Sequence, residues 1–290
     1  MTPAQRGPYL ALSAYAIWGL FPLYWPLLEP AGPVELLAHR TVWSFVAMAG
    51  LLAVRRRAWF RELIRSPVVF GRLTLAAATL SFNWGLYIYG VNHGHVVEAA
   101  LGYFIAPLVM TGAGVLILGE QLRLGQWAAV FLGVAAVLVL VTTYGQVPWL
   151  ALALAGSWAV YGYLKRTAQL PAPVSLTVET AAMLVPAVAY LAWLASQGKG
   201  TFGTVGTGHA LLLMSTATAA VPLLLFAAAA NKVPLSTLGM TQYVEPAMQF
   251  VIGITIRHEP MPTARWAGFL LVWSALVLLA YDARGRAAPA

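Results

Sequence analysis

The sequence has no cysteine and only nine acidic residues among its 290 positions. Without cysteine, the chain cannot form a disulfide, a thiolate metal site or a cysteine nucleophile. Asp282 is its only aspartate, which disfavours enzymes that hold divalent metals through aspartate clusters. There is no GxxxxGK[ST] phosphate loop, no HExxH zinc motif and no GxSxG nucleophile elbow. We therefore expect a protein that is not an enzyme and that carries no cofactor and no metal.

The shortage of charged residues also identifies the solvent. Only 9% of the residues are charged and 60% are hydrophobic, whereas a water-soluble domain carries about 25% charged residues. Lipid must therefore cover most of the surface. The net charge of +8 does not indicate nucleic acid, because the basic residues lie in short loops between apolar runs. The expected partners are the lipid bilayer and a small-molecule substrate, and a homodimer is left open.

Ten apolar runs approach the length of about 20 residues that a membrane-crossing helix needs. They predict an all-α integral membrane protein with ten transmembrane helices. The runs are roughly Pro8–Leu28, Val34–Val54, Val68–Val91, Val96–Leu118, Leu124–Thr142, Val147–Leu164, Val174–Ser196, Ala210–Ala230, Leu235–Ile256 and Thr263–Asp282.

The distribution of lysine and arginine predicts the orientation. Ten crossings place both termini and every second loop on one side, and that side carries thirteen basic residues against three on the other. The remaining basic residue, Arg40, lies inside the second run. Cytoplasmic loops of membrane proteins are enriched in lysine and arginine. The bias therefore predicts a multi-pass protein of the plasma (inner) membrane with both termini in the cytoplasm.

The second half of the sequence repeats the first at an offset of 139 to 140 residues. The matched residues include types that rarely coincide by chance: Trp18 with Trp158, Pro33 with Pro173, Pro107 with Pro246, Glu120 with Glu259, and Trp127 with Trp266. Each half holds five crossings, so the second half must enter the membrane in the opposite orientation. Inverted repeats are a transporter architecture. We predict two five-helix repeats, 8–142 and 148–282.

Arg40 lies within the second run, where a charge near the bilayer centre costs about 2.5–3.5 kcal/mol. It either pairs with a glutamate on a neighbouring helix, holds an anionic or carbonyl group of the substrate, or extends to the membrane surface. Glu98, near the outer end of the fourth run, is a candidate partner for Arg40.

Three carboxylates are the candidates for ion or proton coupling: Glu98, Glu245 and Glu179. Glu245 lies near the middle of the ninth run, directly before Pro246, and is either a proton carrier or the counter-ion of Arg40. Glu179 favours a structural role. Glu120 and Glu259 end their runs, where a carboxylate can meet free amides and the positive end of the next helix dipole, so a structural role is expected for both.

Two repeat-matched prolines, Pro107 and Pro246, lie within predicted helices and remove the hydrogen bonds to the carbonyls of Tyr103 and Gln242. The kinks are either harmless or bend the fourth and ninth helices around one central site. Polar and aromatic neighbours favour a central site. The predicted substrate-binding residues are Arg40, Asn83, Trp84, Tyr87, Tyr103, Trp158, Gln242 and Tyr243.

Several motifs together resemble the RarD-type permeases, or chloramphenicol-sensitivity proteins, of the EamA group in the drug/metabolite transporter superfamily. The matching segments are 38–44 (AHRTVWS), 83–89, 98–107 (EAALGYFIAP), and 235–239 with Gln242 and Tyr243. The resemblance implies ten helices, two EamA repeats and export or exchange of small metabolites. The chain departs from it at Ala106, where an asparagine is usual, and at Glu245, where a small or neutral residue is usual.

The sequence therefore predicts a secondary transporter that works by alternating access, with a cavity between helices one to four and six to nine. Its cargo is expected to be a small amphipathic metabolite, such as an amino acid derivative, an aromatic compound or a drug-like molecule, with proton or exchange coupling. The rival from another class is a membrane-embedded ligand sensor or scaffold without transport. An intramembrane enzyme is a second rival, which the missing motifs weaken.

Overall fold

The computed structural model describes residues 3–54, 67–118, 124–144, 147–168, 172–230 and 241–284. Within these ranges the regular secondary structure is entirely helical. The α-helices are α1 (Pro3–Gly19), α2 (Phe21–Tyr24), α3 (Pro33–Val54), α4 (Pro67–Asn92), α5 (Val96–Leu118), α6 (Leu124–Tyr144), α7 (Trp149–Ala168), α8 (Ala172–Ser196), α9 (Thr207–Ser215), α10 (Ala220–Ala230), α11 (Val244–Thr255) and α12 (Thr263–Arg284).

These helices correspond to the ten predicted crossings, and the all-helical membrane fold is confirmed. Five segments are long and apolar enough to cross a membrane by length and composition: Gly7–Leu28, Pro33–Val54, Leu124–Thr142, Val174–Ser196 and Thr207–Phe226. Large apolar side chains such as Phe131 and Val277 are 65% and 69% exposed on the outer helix surfaces. Lipid is the environment in which that exposure carries no cost.

Two crossings are broken near their middle. In the first, α1 ends at Gly19, and a short α2 and a 3₁₀ turn at Trp25–Leu28 follow, each with a proline in its first turn. In the eighth, a 3₁₀ turn at Thr216–Ala219 separates α9 from α10. There the Thr216 and Thr218 hydroxyls donate to carbonyls three residues earlier, at 2.6 and 2.7 Å, which competes with regular helical pairing.

The ninth crossing differs from its prediction. Residues 242–243 form a turn, and α11 begins at Val244. Glu245 therefore lies in the first turn of a helix and not at its centre, and Pro246 occupies a first-turn position whose amide needs no partner within the helix. The expectation that Pro246 kinks a continuous helix was wrong. The beginning of the predicted run, up to residue 240, lies outside the described residues.

The principal helix contacts join the two halves of the chain. Helix α3 packs on α8, α4 and α5 pack on α7, α6 packs on α12, and α1 packs on α10 and α11. The contact between α5 and α7 requires a glycine, because a Cβ at Gly102 would lie 2.8 Å from the carbonyl oxygen of Ala151. The close approach of these helices brings the side chains of crossings three, four and six around one interior space.

Candidate functional site

A central cavity with an empty volume of about 690 Å³ lies between the two halves of the chain. Helices α1, α2, α4, α5, α7, α10 and α11 contribute to its wall, together with the turn before α11. Its lining residues are Tyr15, Trp18, Phe21, Leu80, Trp84, Tyr87, Tyr103, Ala106, Pro107, Met110, Trp158, Leu223, Gln242, Glu245 and Pro246.

Seven of the fifteen described lining residues are aromatic, and neighbouring rings among them contact one another edge to face. The ring centroids of Trp84 and Tyr87 are 6.3 Å apart, those of Tyr87 and Tyr103 are 5.7 Å apart, and those of Tyr103 and Trp158 are 6.2 Å apart. Such contacts fix the positions of the rings. The cavity is therefore a shaped aromatic chamber and not a gap between flexible aliphatic chains.

Glu245 is the one carboxylate among the described residues of the cavity wall. Its Oε1 accepts a hydrogen bond from Gln249 Nε2 at 3.1 Å, one turn along α11. No lysine, arginine or histidine nitrogen of the described residues lies within 4.0 Å of it, so the expected ion pair with Arg40 was wrong. Its position in the first turn of α11 is favourable because the helix dipole is positive there.

Three buried polar atoms at or beside the cavity have no hydrogen-bond partner. They are the Trp18 indole nitrogen, the Tyr87 hydroxyl and the amide oxygen of Gln249. Trp18 and Tyr87 line the cavity, and Gln249 binds Glu245. Unpaired buried polar atoms are costly unless a ligand or water satisfies them. The cavity therefore offers hydrogen-bonding groups as well as aromatic surface.

Arg40 lies beside this cavity and not in its wall. Its guanidinium carbon stacks 3.8 Å from the centroid of the Trp84 ring, and Arg40 lines a smaller space of about 290 Å³. Glu179 also lines that space and accepts hydrogen bonds from Ser175 at 2.7 Å and Tyr161 at 3.2 Å. Leu80 lines both spaces, so Arg40 and Glu179 form a buried polar group directly behind the aromatic wall.

Besides Arg40, two predicted substrate-binding residues do not line the cavity. Asn83 is 0% exposed, donates to the Leu154 carbonyl oxygen at 3.0 Å and to Ser157 Oγ at 2.9 Å, and accepts from the Tyr103 hydroxyl at 3.1 Å. It joins α4, α5 and α7 because an amide can bond to several helices at once. Tyr243 packs against a separate apolar cluster. Trp84, Tyr87, Tyr103, Trp158 and Gln242 do line the cavity.

Glu98 was expected to pair with Arg40, and the structure places it elsewhere. It accepts a hydrogen bond from the amide of Leu150 at 3.1 Å and lies 3.9 Å from His95. Leu150 is in the first turn of α7, where amides have no partner within the helix. Glu98 therefore caps α7 at one end of the bundle and does not face the central cavity.

Glu98 is one of three carboxylates at this end of the bundle that bond to the other half of the chain. Glu259 accepts from the amides of Val96 and Val97, at 2.5 and 2.8 Å, and Glu35 accepts from the amide and hydroxyl of Thr201, at 2.7 and 2.9 Å. Burial raises the pKa of the Glu259 carboxyl, and its two amide donors offset part of the rise. We call Glu35, Glu98 and Glu259 the end carboxylates.

The expected structural role of Glu259 at a helix dipole thus has a geometric basis, but with a different helix. The carboxylate meets the first amides of α5 and not those of α12, which follows it in the chain. Its repeat-matched counterpart Glu120 lies outside the described residues. Metal ligation is not indicated, because the described part of the chain contains no group of three His, Asp or Glu side chains that could hold an ion.

The sequence also missed cavity residues from the first crossing: Tyr15, Trp18 and Phe21. The repeat offset could have identified Trp18, because it matches Trp158 and both tryptophans line the cavity. For Tyr15 and Phe21, the only indication in the sequence was their spacing of three residues from Trp18. In a continuous helix this spacing places the three residues on one face.

Comparison with known proteins identifies the family. The EamA-like transporter family model matches residues 5–142. Protein RarD of Streptomyces exfoliatus is 53% identical over 96% of this chain and 89% of its own, and Protein RarD of Escherichia coli is 37% identical over 96% and 95%. The uncharacterized transporter YojE of Bacillus subtilis is 39% identical over 96% and 94%.

A protein of known crystal structure shares the fold along almost the whole length. It covers 98% of this chain and 99% of its own, with a TM-score of 0.62 and 17% identity. That level of identity supports the fold alone, whereas the closer relatives and the EamA match support the family. The chain therefore belongs to the EamA-like transporter family and is a membrane transporter of the RarD type.

Proposed function

We propose that this transporter is a secondary transporter that moves small amphipathic metabolites or drug-like molecules by alternating access. The observation that carries the proposal is the aromatic cavity between the two halves of the chain, with the carboxylate of Glu245 in its wall, which has no basic partner among the described residues. Binding sites of secondary transporters lie at the interface of two repeats and are formed by discontinuous helices. The breaks before α2 and α11 border this cavity.

The proposed repeats, 8–142 and 148–282, are supported by the pattern of helix contacts. Crossing four packs on crossing six, and crossing nine packs on crossing one. Crossing three also packs on six, and eight on one. Each contact thus has a counterpart with the two halves exchanged, which is the pattern expected of a two-fold axis. Such symmetry gives two similar conformations that open to opposite sides.

The orientation proposed from the basic residues places the end carboxylates on the extracellular side. There their hydrogen bonds connect the two halves of the chain. A conformation in which the cavity opens to that side has to break these bonds. Glu35, Glu98 and Glu259 accept hydrogen bonds from backbone amides. When one of these bonds breaks, its amide becomes exposed and can donate to water instead. We propose that these hydrogen bonds hold the extracellular side closed in one half of the transport cycle.

Glu245 is the proposed proton carrier. A carboxyl in an apolar chamber without a counter-ion can take up and release a proton as its surroundings change between the two conformations. Arg40 and Glu179 are proposed to stabilise the wall from behind, because they share a separate space with each other. Glu98 is not proposed as a coupling residue, since it caps α7.

The test is transport by the purified protein in sealed proteoliposomes. Liposomes loaded with a metabolite mixture and given a proton gradient are compared with protein-free liposomes, and the contents are analysed by mass spectrometry. We expect at least one small amphipathic metabolite to cross, and Glu245→Gln to abolish its pH-driven movement while exchange persists. Glu29→Gln, the same chemical change at an exposed residue, should leave transport intact. Ligand binding without any transport would instead support a sensor.

A further inference from the structure

We propose that the Glu245 cavity selects organic cations: an ammonium group on a flat apolar or aromatic body. The inference rests on the proposed function, because it assigns the chemical class of the transported molecule. It follows from the charge in the cavity wall, the nature of the surrounding surface and the unpaired polar atoms.

The charge of the cavity favours a cation. Among the residues that the structure describes, Glu245 is the only acidic or basic side chain in the wall, and its one described hydrogen bond comes from the neutral amide of Gln249. Arg40 does not line the cavity, and its guanidinium carbon lies 3.8 Å from the centroid of the Trp84 ring. A ligand anion would therefore meet a carboxylate, and a ligand cation would supply the counter-ion that Glu245 lacks.

The aromatic surface strengthens the same preference. Tyr15, Trp18, Tyr103 and Trp158 line the cavity with Glu245, and the faces of tyrosine and tryptophan rings attract ammonium groups. The rings also favour a flat apolar body, because aromatic pairs stack or pack edge to face. A carboxylate within a cage of rings is thus suited to the charge and to the body of one ligand.

The unpaired polar atoms indicate a further feature of the ligand. The Trp18 indole nitrogen can only donate a hydrogen bond, and the Tyr87 hydroxyl can donate or accept. A ligand with a hydrogen-bond acceptor beside its ammonium group could satisfy the indole.

Three probes that share one body test the charge preference: 2-phenylethylamine, which is cationic at neutral pH, 2-phenylethanol, which is neutral, and 3-phenylpropionate, which is anionic. Their affinities for the full chain in lipid nanodiscs are measured by calorimetry. We expect the amine to bind about 30-fold tighter than the alcohol, because the loss of one partner of a buried charge pair lowers affinity by at least this factor. The acid should bind most weakly. Equal affinities for the amine and the alcohol, or tighter binding of the acid, would overturn the proposal.

Variants assign the preference to Glu245. Glu245→Gln should bring the amine to the affinity of the alcohol without changing the affinity of the alcohol, and Glu29→Gln should behave as the wild type. An undiminished preference for the amine in Glu245→Gln would refute the assignment. If that variant does not fold, the ranking of the three probes on the wild type still decides the charge preference.

The two proposals can fail separately. If proteoliposomes transport neutral or anionic metabolites while the amine does not bind, the substrate class is wrong and secondary transport stands. If the amine binds as expected but no solute crosses the membrane, the substrate class stands and the proposed function is wrong.

Discussion

Asn83 provides a test of how the two halves are held together around the cavity. Its amide makes three hydrogen bonds, two to α7 and one to Tyr103 on α5, and the side chain is 0% exposed. Replacement by alanine removes all three bonds and leaves a small void. Leu154 and Ser157 keep a hydrogen bond to each other at 3.2 Å, so the change does not leave α7 entirely without partners.

The expected cost follows from these contacts. A hydrogen bond between helices in a membrane contributes on average about 0.6 kcal/mol, so three contribute about 2 kcal/mol. The void adds about 1 kcal/mol, and Asn83→Ala should lower the free energy of unfolding by about 3 kcal/mol. Tyr103→Phe removes one bond and no packing volume, so it should cost about 0.6 kcal/mol. In the double variant Tyr103→Phe should add nothing, because Asn83 is already absent.

The assay is reversible unfolding in mixed detergent micelles, followed by far-ultraviolet circular dichroism. A loss of less than about 1 kcal/mol in the free energy of unfolding for Asn83→Ala would be smaller than the contribution of two of its three hydrogen bonds. That result would refute the structural role given to this amide. Fully additive effects of the two substitutions would show that the bond between Asn83 and Tyr103 contributes nothing. If Asn83 contacted the substrate instead, the variant would keep its stability and lose affinity.

Three further changes test other contacts. Gly102→Ala should lower the free energy of unfolding by about 1–3 kcal/mol, because its Cβ would lie 2.8 Å from a backbone oxygen of α7; Gly112→Ala, with nothing within 4 Å, should be neutral in the same assay. Glu259→Ala should lower the free energy of local opening at its end of the bundle by about 3 kcal/mol. The substitution removes two hydrogen bonds to a charged group, and each contributes about 1.5 kcal/mol or more. Faster hydrogen exchange at the first amides of α5 would show this loss, and unchanged exchange would contradict it. Arg40→Lys should destabilise by about 2 kcal/mol in the unfolding assay, because lysine cannot stack its charge flat on the Trp84 ring; a lysine variant as stable as the wild type would exclude that contribution.

The sequence was sufficient for the fold because the membrane constrains the chain strongly. Apolar runs of nearly fixed length must form helices, since backbone groups in lipid have no other partners. What the runs did not predict were the breaks at Leu20, Thr216 and the turn 242–243. A broken helix keeps the composition of a continuous one, and prolines in the first turn of a new helix resemble prolines at a kink.

The candidate site was predicted in part, for a related reason. Trp84, Tyr103 and Glu245 were identified because polar or aromatic side chains near the two prolines, and a carboxylate within an apolar run, distinguish them. Asn83 and Glu98 are also polar residues in apolar runs, but they make hydrogen bonds within the protein and do not line the cavity. The cost of a polar group in lipid shows that it needs a partner, and only the packing of the helices decides whether the partner is protein or substrate.

The most direct test of alternating access is a lock across the end carboxylates. The chain has no cysteine, so Val97→Cys combined with Glu259→Cys introduces one defined pair at the contact where the backbone amide of Val97 donates to the Glu259 carboxylate at 2.8 Å. In proteoliposomes, oxidation of this pair should stop transport and reduction should restore it, while each single variant should be insensitive to both. Transport that continues with the disulfide formed would show that the two halves do not separate at this end, and would contradict the account.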